Sequence, residues 1–151
     1  MPILCFLLCL LILLPAPLSA EDFERSPLAI ETQAGERLTF NVELALTPDQ
    51  RAQGLMFRED LPLGEGMLFI YPQPRIIQMW MRNTLIPLDM LFLDNRGEVL
   101  VMADNAVPGS EAIISSLIPA RAVLELRGDA IERLGLMIGD RVLHPLLGGE
   151  P

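Results

Sequence analysis

Arg37-Leu-Thr-Phe-Asn-Val-Glu-Leu-Ala-Leu46 alternates apolar and polar residues without interruption. Leu38, Phe40, Val42, Leu44 and Leu46 fall on one face of an extended chain, with Thr39, Asn41, Glu43 and Ala45 on the other. A two-residue period sustained this long predicts a half-buried strand, one face on a core and one away from it. Thr47-Pro48-Asp49-Gln50 ends it. Thr suits an N-cap, Pro the first helical position, and Gln three residues on completes a capping box, so a short helix is predicted over 48–56. Ala52, Leu55 and Met56 form its apolar stripe, and Arg51 and Gln53 point away.

Working outward, the chain keeps this rhythm of short strands between turn signals. Leu61 to Gly66 is a turn-rich loop, and Met67 to Tyr71 an apolar strand stopped by Pro72 and Pro74. Ile76 to Arg82 reads as a strand with Ile77, Met79 and Met81 on one face and Gln78, Trp80 and Arg82 on the other. Leu88–Asp94 and Glu98–Ala103 flank Asp94-Asn-Arg-Gly97, a hairpin signal. A long connection from Ala106 to Pro119 carries one weak strand at about 112–117. Ala122–Arg127 is a strand, Gly128-Asp129 opens a short helix ending near Gly135, and Arg141–His144 is a last strand. About seven short strands and two short helices predict a β-rich α+β fold, a compact barrel or a strongly bent sheet. Residues 37–145 form the single globular domain. Residues 21–36 are a leader that includes a first strand, with 21–27 loose, and 146–151 are a flexible tail.

Residues 1–20 have a different composition. An apolar run through Leu14 is followed by Pro15-Ala-Pro-Leu-Ser-Ala20 and then Glu21-Asp22. The run is about a dozen residues, too short for a permanent span of a bilayer roughly 30 Å thick. Small residues at Ser19 and Ala20 suit cleavage after Ala20, so a secretory signal peptide is expected. The protein is then periplasmic or secreted, with no stable membrane insertion once the segment is removed. An uncleaved N-terminal anchor is the alternative, because the segment lacks Lys and Arg and Leu18 occupies the −3 position. Leu8 before Cys9 argues against lipid attachment there. Both cysteines, Cys5 and Cys9, lie in this segment. A mature chain of 151 − 20 = 131 residues would therefore hold no thiol, disulfide or Cys-based metal site.

The net charge is −9, and all eleven basic residues are Arg. Such a surface disfavours polyanions, so neither nucleic acid nor anionic membrane is an expected partner. Absence of Lys removes Schiff-base chemistry. No cofactor is called for, and a monomer is expected.

Several stretches resemble domain of unknown function family 192. They are Arg51-Ala-Gln-Gly-Leu-Met-Phe-Arg58, Leu61-Pro62, Gly66-Met-Leu-Phe69 and Trp80-Met-Arg-Asn-Thr-Leu-Ile-Pro-Leu-Asp89. The match continues through Phe92, Asp94 and Gly97, Pro119-Ala120, Val123-Leu-Glu125 and Gly139-Asp140-Arg-Val142. It spans about 38–143. Met79 stands where an aromatic residue is usual, and 105–118 lacks the Cys and Tyr of many members. The resemblance implies a β-rich fold, frequent export, and no established activity.

Two constellations could carry function. Gln78, Trp80 and Arg82 stand side by side on one strand face, where a Trp between an amide and a guanidinium can stack a planar or sugar ring. The alternative is a Trp80 covered by a helix and simply core. Arg58, Arg82 and Asp89, polar residues in apolar context, form either a buried ion-pair network or an anion site. Asn83 and Thr84 before Pro87 shape a turn, and Glu125 is read as part of a solvated strand face. The ligand-binding set is Trp80, Arg82, Arg58, Arg51, Asp89 and Asn83. It supports a non-catalytic module for a small envelope-derived or saccharide-like ligand. Two rivals remain open. One is Cu(I) handling by Met thioethers, Met79 and Met81 foremost, against which stands the use of Met as core filler. The other is a glycan hydrolase using Asp89 and Glu125. Serine catalysis has only His144 as a base, beside Pro145.

Overall fold

The computed structural model describes residues 22–151; the expected signal segment, with both cysteines, lies outside them. The alternating stretch is strand β2 (Arg37–Ala45), with Phe40, Val42 and Leu44 buried on one face. Strand β1 (Arg25–Glu31) pairs antiparallel along its whole length with β2. The segment read as a loose leader is thus extended from Arg25 onward. Arg25 faces Glu43 across the ladder at 3.2 Å, and Leu28, Ala29 and Ile30 anchor the strand in the core.

Helix α1 (Pro48–Gln53) follows with the predicted cap. The Thr47 hydroxyl accepts from the Gln50 N–H, and the Gln50 side chain accepts from the Thr47 N–H. Gly54 caps its end, so the helix stops short of the predicted limit at Met56. Then come β3 (Glu65–Arg75), β4 (Gln78–Met79), β5 (Leu88–Leu93), β6 (Val99–Ala106), β7 (Ile114–Ser115) and β8 (Ala120–Arg127). Helix α2 (Ala130–Leu134), β9 (Arg141–Leu143) and a 3-10 turn at Pro145–Leu147 complete the order. The residues expected to form a flexible tail begin packed, with Leu147 buried and the Gly149 N–H donating to the His144 carbonyl.

Among the described residues, seven strands form one sheet in the order β6-β5-β8-β3-β2-β1-β9. Its one parallel pair is β2 and β3, joined through α1. The sheet curls until its edges meet. Glu98 bridges Arg141, the Val142 N–H donates to Gly97 O at 2.8 Å, and the Val99 N–H to Asp140 O at 2.9 Å. This seam requires Gly97. Its φ is +81°, and a Cβ there would collide with Val142 O. The β-rich, barrel-like architecture with two short helices is the one the sequence predicts.

What the alternation does not foretell is a second layer. The barrel interior is filled by Leu28, Ile30, Phe40, Val42, Leu91, Leu124 and their neighbours. The outer face of β3, β5 and β8 carries another apolar cluster, including Met67, Phe69, Met90 and Phe92, and Leu55, Leu61, Ile77, Met79 and Met81 cover it. Strand β5 is consequently buried at every position. Burying a side chain such as Phe69 or Phe92 contributes about 1.5–3 kcal/mol. The covering layer is irregular. The strand expected over 76–82 shrinks to Gln78–Met79, paired with Ile114–Ser115, because its neighbour offers only those two ladder positions. Its alternation survives nonetheless, with Ile77, Met79 and Met81 buried and Gln78, Trp80 and Arg82 exposed.

Candidate functional site

Where the covering layer leaves the sheet, a cleft of about 950 Å³ opens; α1, the end of β3, β4 and the following residue line it. Its polar and aromatic lining includes Arg51, Tyr71, Arg75, Gln78, Trp80 and Glu125. Arg51 is held tightly. One terminal guanidinium nitrogen donates to Leu46 O at 2.6 Å and Ile70 O at 2.9 Å, and the guanidinium carbon stands 4.9 Å from the Tyr71 ring centre. The Tyr71 hydroxyl reaches the Met79 sulfur at 3.8 Å, and burial pushes that hydroxyl's pKa up. Trp80 is 42 % exposed, so it is no core residue. The Arg82 guanidinium lies 5.7 Å from the Trp80 ring centre, and the two share with Glu111 a smaller pocket of about 170 Å³.

Glu125 is the residue the sequence reading placed wrongly. It does point opposite to Leu124 and Leu126, which enter the barrel, but that face is covered rather than solvated. Glu125 is 4 % exposed, between Met67 of β3 and Met90 of β5. Its carboxyl has no hydrogen-bond or ion-pair partner among the described residues, and burial raises its pKa to about 8. The run from Ala122 to Leu126 gave no warning, because an alternating strand looks the same whether its second face meets water or another layer.

Of the six residues singled out from sequence, the cleft gathers Trp80 and Arg51, and Arg82 joins by stacking on Trp80. The other three are engaged elsewhere. Arg58 pairs with Glu43, which also meets Arg25, itself 3.0 Å from Glu65. Asp89 is fully buried on the inner face, where its oxygens accept from the Asn105 and Ile131 N–H groups, both at 2.7 Å. Asn83 takes φ +57° in a turn and its carbonyl accepts from the Phe57 N–H at 2.9 Å.

The same registers separate the carboxylates of the hydrolase reading. Glu125 pairs with Met90 and Asp89 with Leu126, so the two acids lie on opposite faces of the sheet and share no cleft. Met81 is buried outright and Met79 nearly so, both within the outer apolar cluster beside Met67 and Met90. His144 does meet a serine, its Nε2 lying 3.0 Å from Ser26 Oγ. However, its Nδ1 accepts from the Leu146 N–H, which places the proton on Nε2. That nitrogen donates to Ser26 and cannot take its proton. Among the described residues no group of three His, Cys, Asp or Glu is arranged to hold a metal, and no helix is long and apolar enough to cross a membrane.

The model of domain of unknown function family 192, described as an uncharacterized ACR, matches residues 29–144. The chain belongs to this family. Two solved structures are similar to this family 192 chain. One, from Sinorhizobium meliloti 1021 and described as a candidate transcription regulator, is 41 % identical with a TM-score of 0.83, over 85 % of this chain and 99 % of that one. Another, a protein of unknown function from Novosphingobium aromaticivorans DSM 12444, is 41 % identical with a TM-score of 0.76, over 80 % and 85 % of the two chains. No curated protein matches the chain. In this family 192 domain the motif acids divide cleanly. Asp89, Asp94 and Asp140 all accept backbone N–H groups, whereas Glu125 accepts none among the described residues.

Proposed function

We propose that the protein is an exported, non-catalytic binding domain whose cleft takes a small envelope-derived or saccharide-like molecule. The observation that carries this reading is Trp80, a large aromatic ring left 42 % exposed at the wall of a cleft of about 950 Å³. Small-molecule sites are concave and largely apolar, with a few converging polar groups, and Arg51, Gln78 and Glu125 supply these here. Export rests on the composition of the N-terminal segment. The acidic, Lys-free composition, with a net charge of −9, disfavours DNA as a ligand, so the description of the Sinorhizobium relative as a transcription regulator is not carried over.

Trp80 is the single tryptophan of the chain, so its fluorescence reports on the cleft directly. Titration with N-acetylglucosamine, its oligomers and peptidoglycan-derived peptides is expected to shift the emission for at least one class. Trp80→Ala and Arg51→Gln, followed by calorimetry, should each weaken that ligand at least tenfold. Unchanged affinity in Trp80→Ala and Arg82→Ala would sink the reading.

A further inference from the structure

Glu125 and Arg75 face the same cleft, and neither side chain has a hydrogen-bond or ion-pair partner among the described residues. Arg75 stands exposed at the rim, whereas Glu125 lies buried at the floor. Arg51, the other lining guanidinium, is already committed to two carbonyl oxygens and the Tyr71 ring. Tyr71 lines the cleft together with Arg51, Arg75 and Glu125. Among the lining residues Glu125 is the sole acid.

These groups discriminate between ligand classes. A simple amine would satisfy Glu125 but would meet two uncompensated guanidinium charges. A simple carboxylate would satisfy Arg75 and leave the buried acid without a partner. A neutral sugar would make hydrogen bonds and use neither charge fully. A molecule with both charges answers each side of the cleft. Resting on the binding reading above, we propose that the cleft recognises a zwitterion of the amino-acid class, its protonated amine on the Glu125 carboxylate and its carboxylate on Arg75. Trp80 and Tyr71 then flank the ligand's carbon skeleton, and Gln78 is available for a peptide carbonyl.

The proposal has a signature that a generic pocket lacks. Free Glu125 holds its proton at neutral pH because burial disfavours the carboxylate. An incoming ammonium group reverses that preference, so binding at pH 7 expels the proton. The charged or titratable groups facing Glu125 are Tyr71 and Arg75 of β3 and Arg51 of α1; β4 presents Gln78 and Met79, and the flanking strand positions are Met67 and Met90. Burial holds Tyr71 in its protonated form, leaving Glu125 as the group that titrates.

The test is calorimetry on the full chain in two buffers of different ionisation enthalpy, with D-alanyl-D-alanine, N-acetyl-D-alanine and D-alaninamide as probes and N-acetylglucosamine as the neutral comparison. D-Alanyl-D-alanine is expected to bind with release of close to one proton at pH 7, its affinity rising up to tenfold from pH 6 to pH 7. The acetylated and amidated probes should bind at least tenfold more weakly. Glu125→Gln should abolish proton release, with the melting temperature confirming that the variant is folded; the proton count on the unaltered chain decides the matter if it is not. Equal binding of the acetylated probe, or binding of the dipeptide without proton release, overturns the assignment. N-acetylglucosamine shifting Trp80 emission while the amines do nothing removes this inference and leaves the binding reading standing. Silence from every probe removes the inference and counts against the binding reading as well.

Discussion

Asp140 and Glu125 are both buried acids on the barrel wall, and both belong to stretches that match the family pattern, yet they live in opposite ways. Asp140 is fully buried at the seam, where one oxygen accepts from the Gln33 N–H at 2.9 Å and the other from the Met137 N–H at 2.7 Å. Asp89 repeats the arrangement on the inner face, tying β6 and α2 to β5. Two charge-assisted bonds offset the desolvation of each carboxylate. Glu125, on the outer face, is nearly as buried and has no such bonds among the described residues. The seam uses its acids to hold the sheet closed. The cleft keeps one acid unsatisfied, a cost to the folded state that a ligand can relieve.

The largest effect should come from breaking the seam. Gly97→Ala forces a side chain into a backbone oxygen at positive φ, and a loss of about 4 kcal/mol by chemical denaturation is expected. Asp89→Ala strands the Asn105 and Ile131 N–H groups, which at roughly 1–3 kcal/mol for such groups should cost about 3 kcal/mol. Glu125→Gln has the opposite sign. A carboxyl whose folded pKa is raised stabilises the native state fully below its unfolded pKa near 4.5, and that contribution is lost as pH rises towards about 8. The unaltered protein should therefore lose stability across this window. Glu125→Gln should flatten the profile and gain on the order of 2 kcal/mol at pH 8, read from melts at several pH values. Trp80→Ala is expected to shift stability by under about 1 kcal/mol while weakening ligand binding at least tenfold by calorimetry. A Glu125→Gln protein less stable than its parent at pH 8 would erase the contrast between the two regions.

Much of the barrel was legible because its signals are local. The Thr47 capping box and the Asp94–Gly97 hairpin depend on residues close in sequence and appear as read, whereas the Arg37–Leu46 alternation forms its strand only to Ala45, with Glu43 and Ala45 buried on the second face and Leu46 exposed. Strand β1 was only partly legible. Arg25-Ser26-Pro27 carries no apolar alternation, and it is extended because it pairs with Asn41–Glu43 of β2, Arg25 bonding Glu43 eighteen residues on. Trp80 and Arg51 were legible as candidate ligand-binding residues, but Trp80's exposure and their meeting in one cleft depend on how the covering layer packs. Glu125 was illegible from its own strand. The clue lay elsewhere, in Met67–Ile70 and Leu88–Leu93, whose almost unbroken apolar runs are those of strands buried on both faces. A sheet covered on its outer side turns an alternating acid into a buried one.

The seam also constrains the order in which the molecule can be completed. Strand β9 is three residues long and follows every other strand in the chain, yet it pairs with β1 and, through the Glu98–Arg141 bridge, closes onto the start of β6. Until Arg141–Leu143 arrive, β1 and the entrance to β6 are two open edges, each offering unpaired backbone groups to other chains. The last three-residue strand thus acts as a latch, and a chain paused before it is the form most exposed to aggregation.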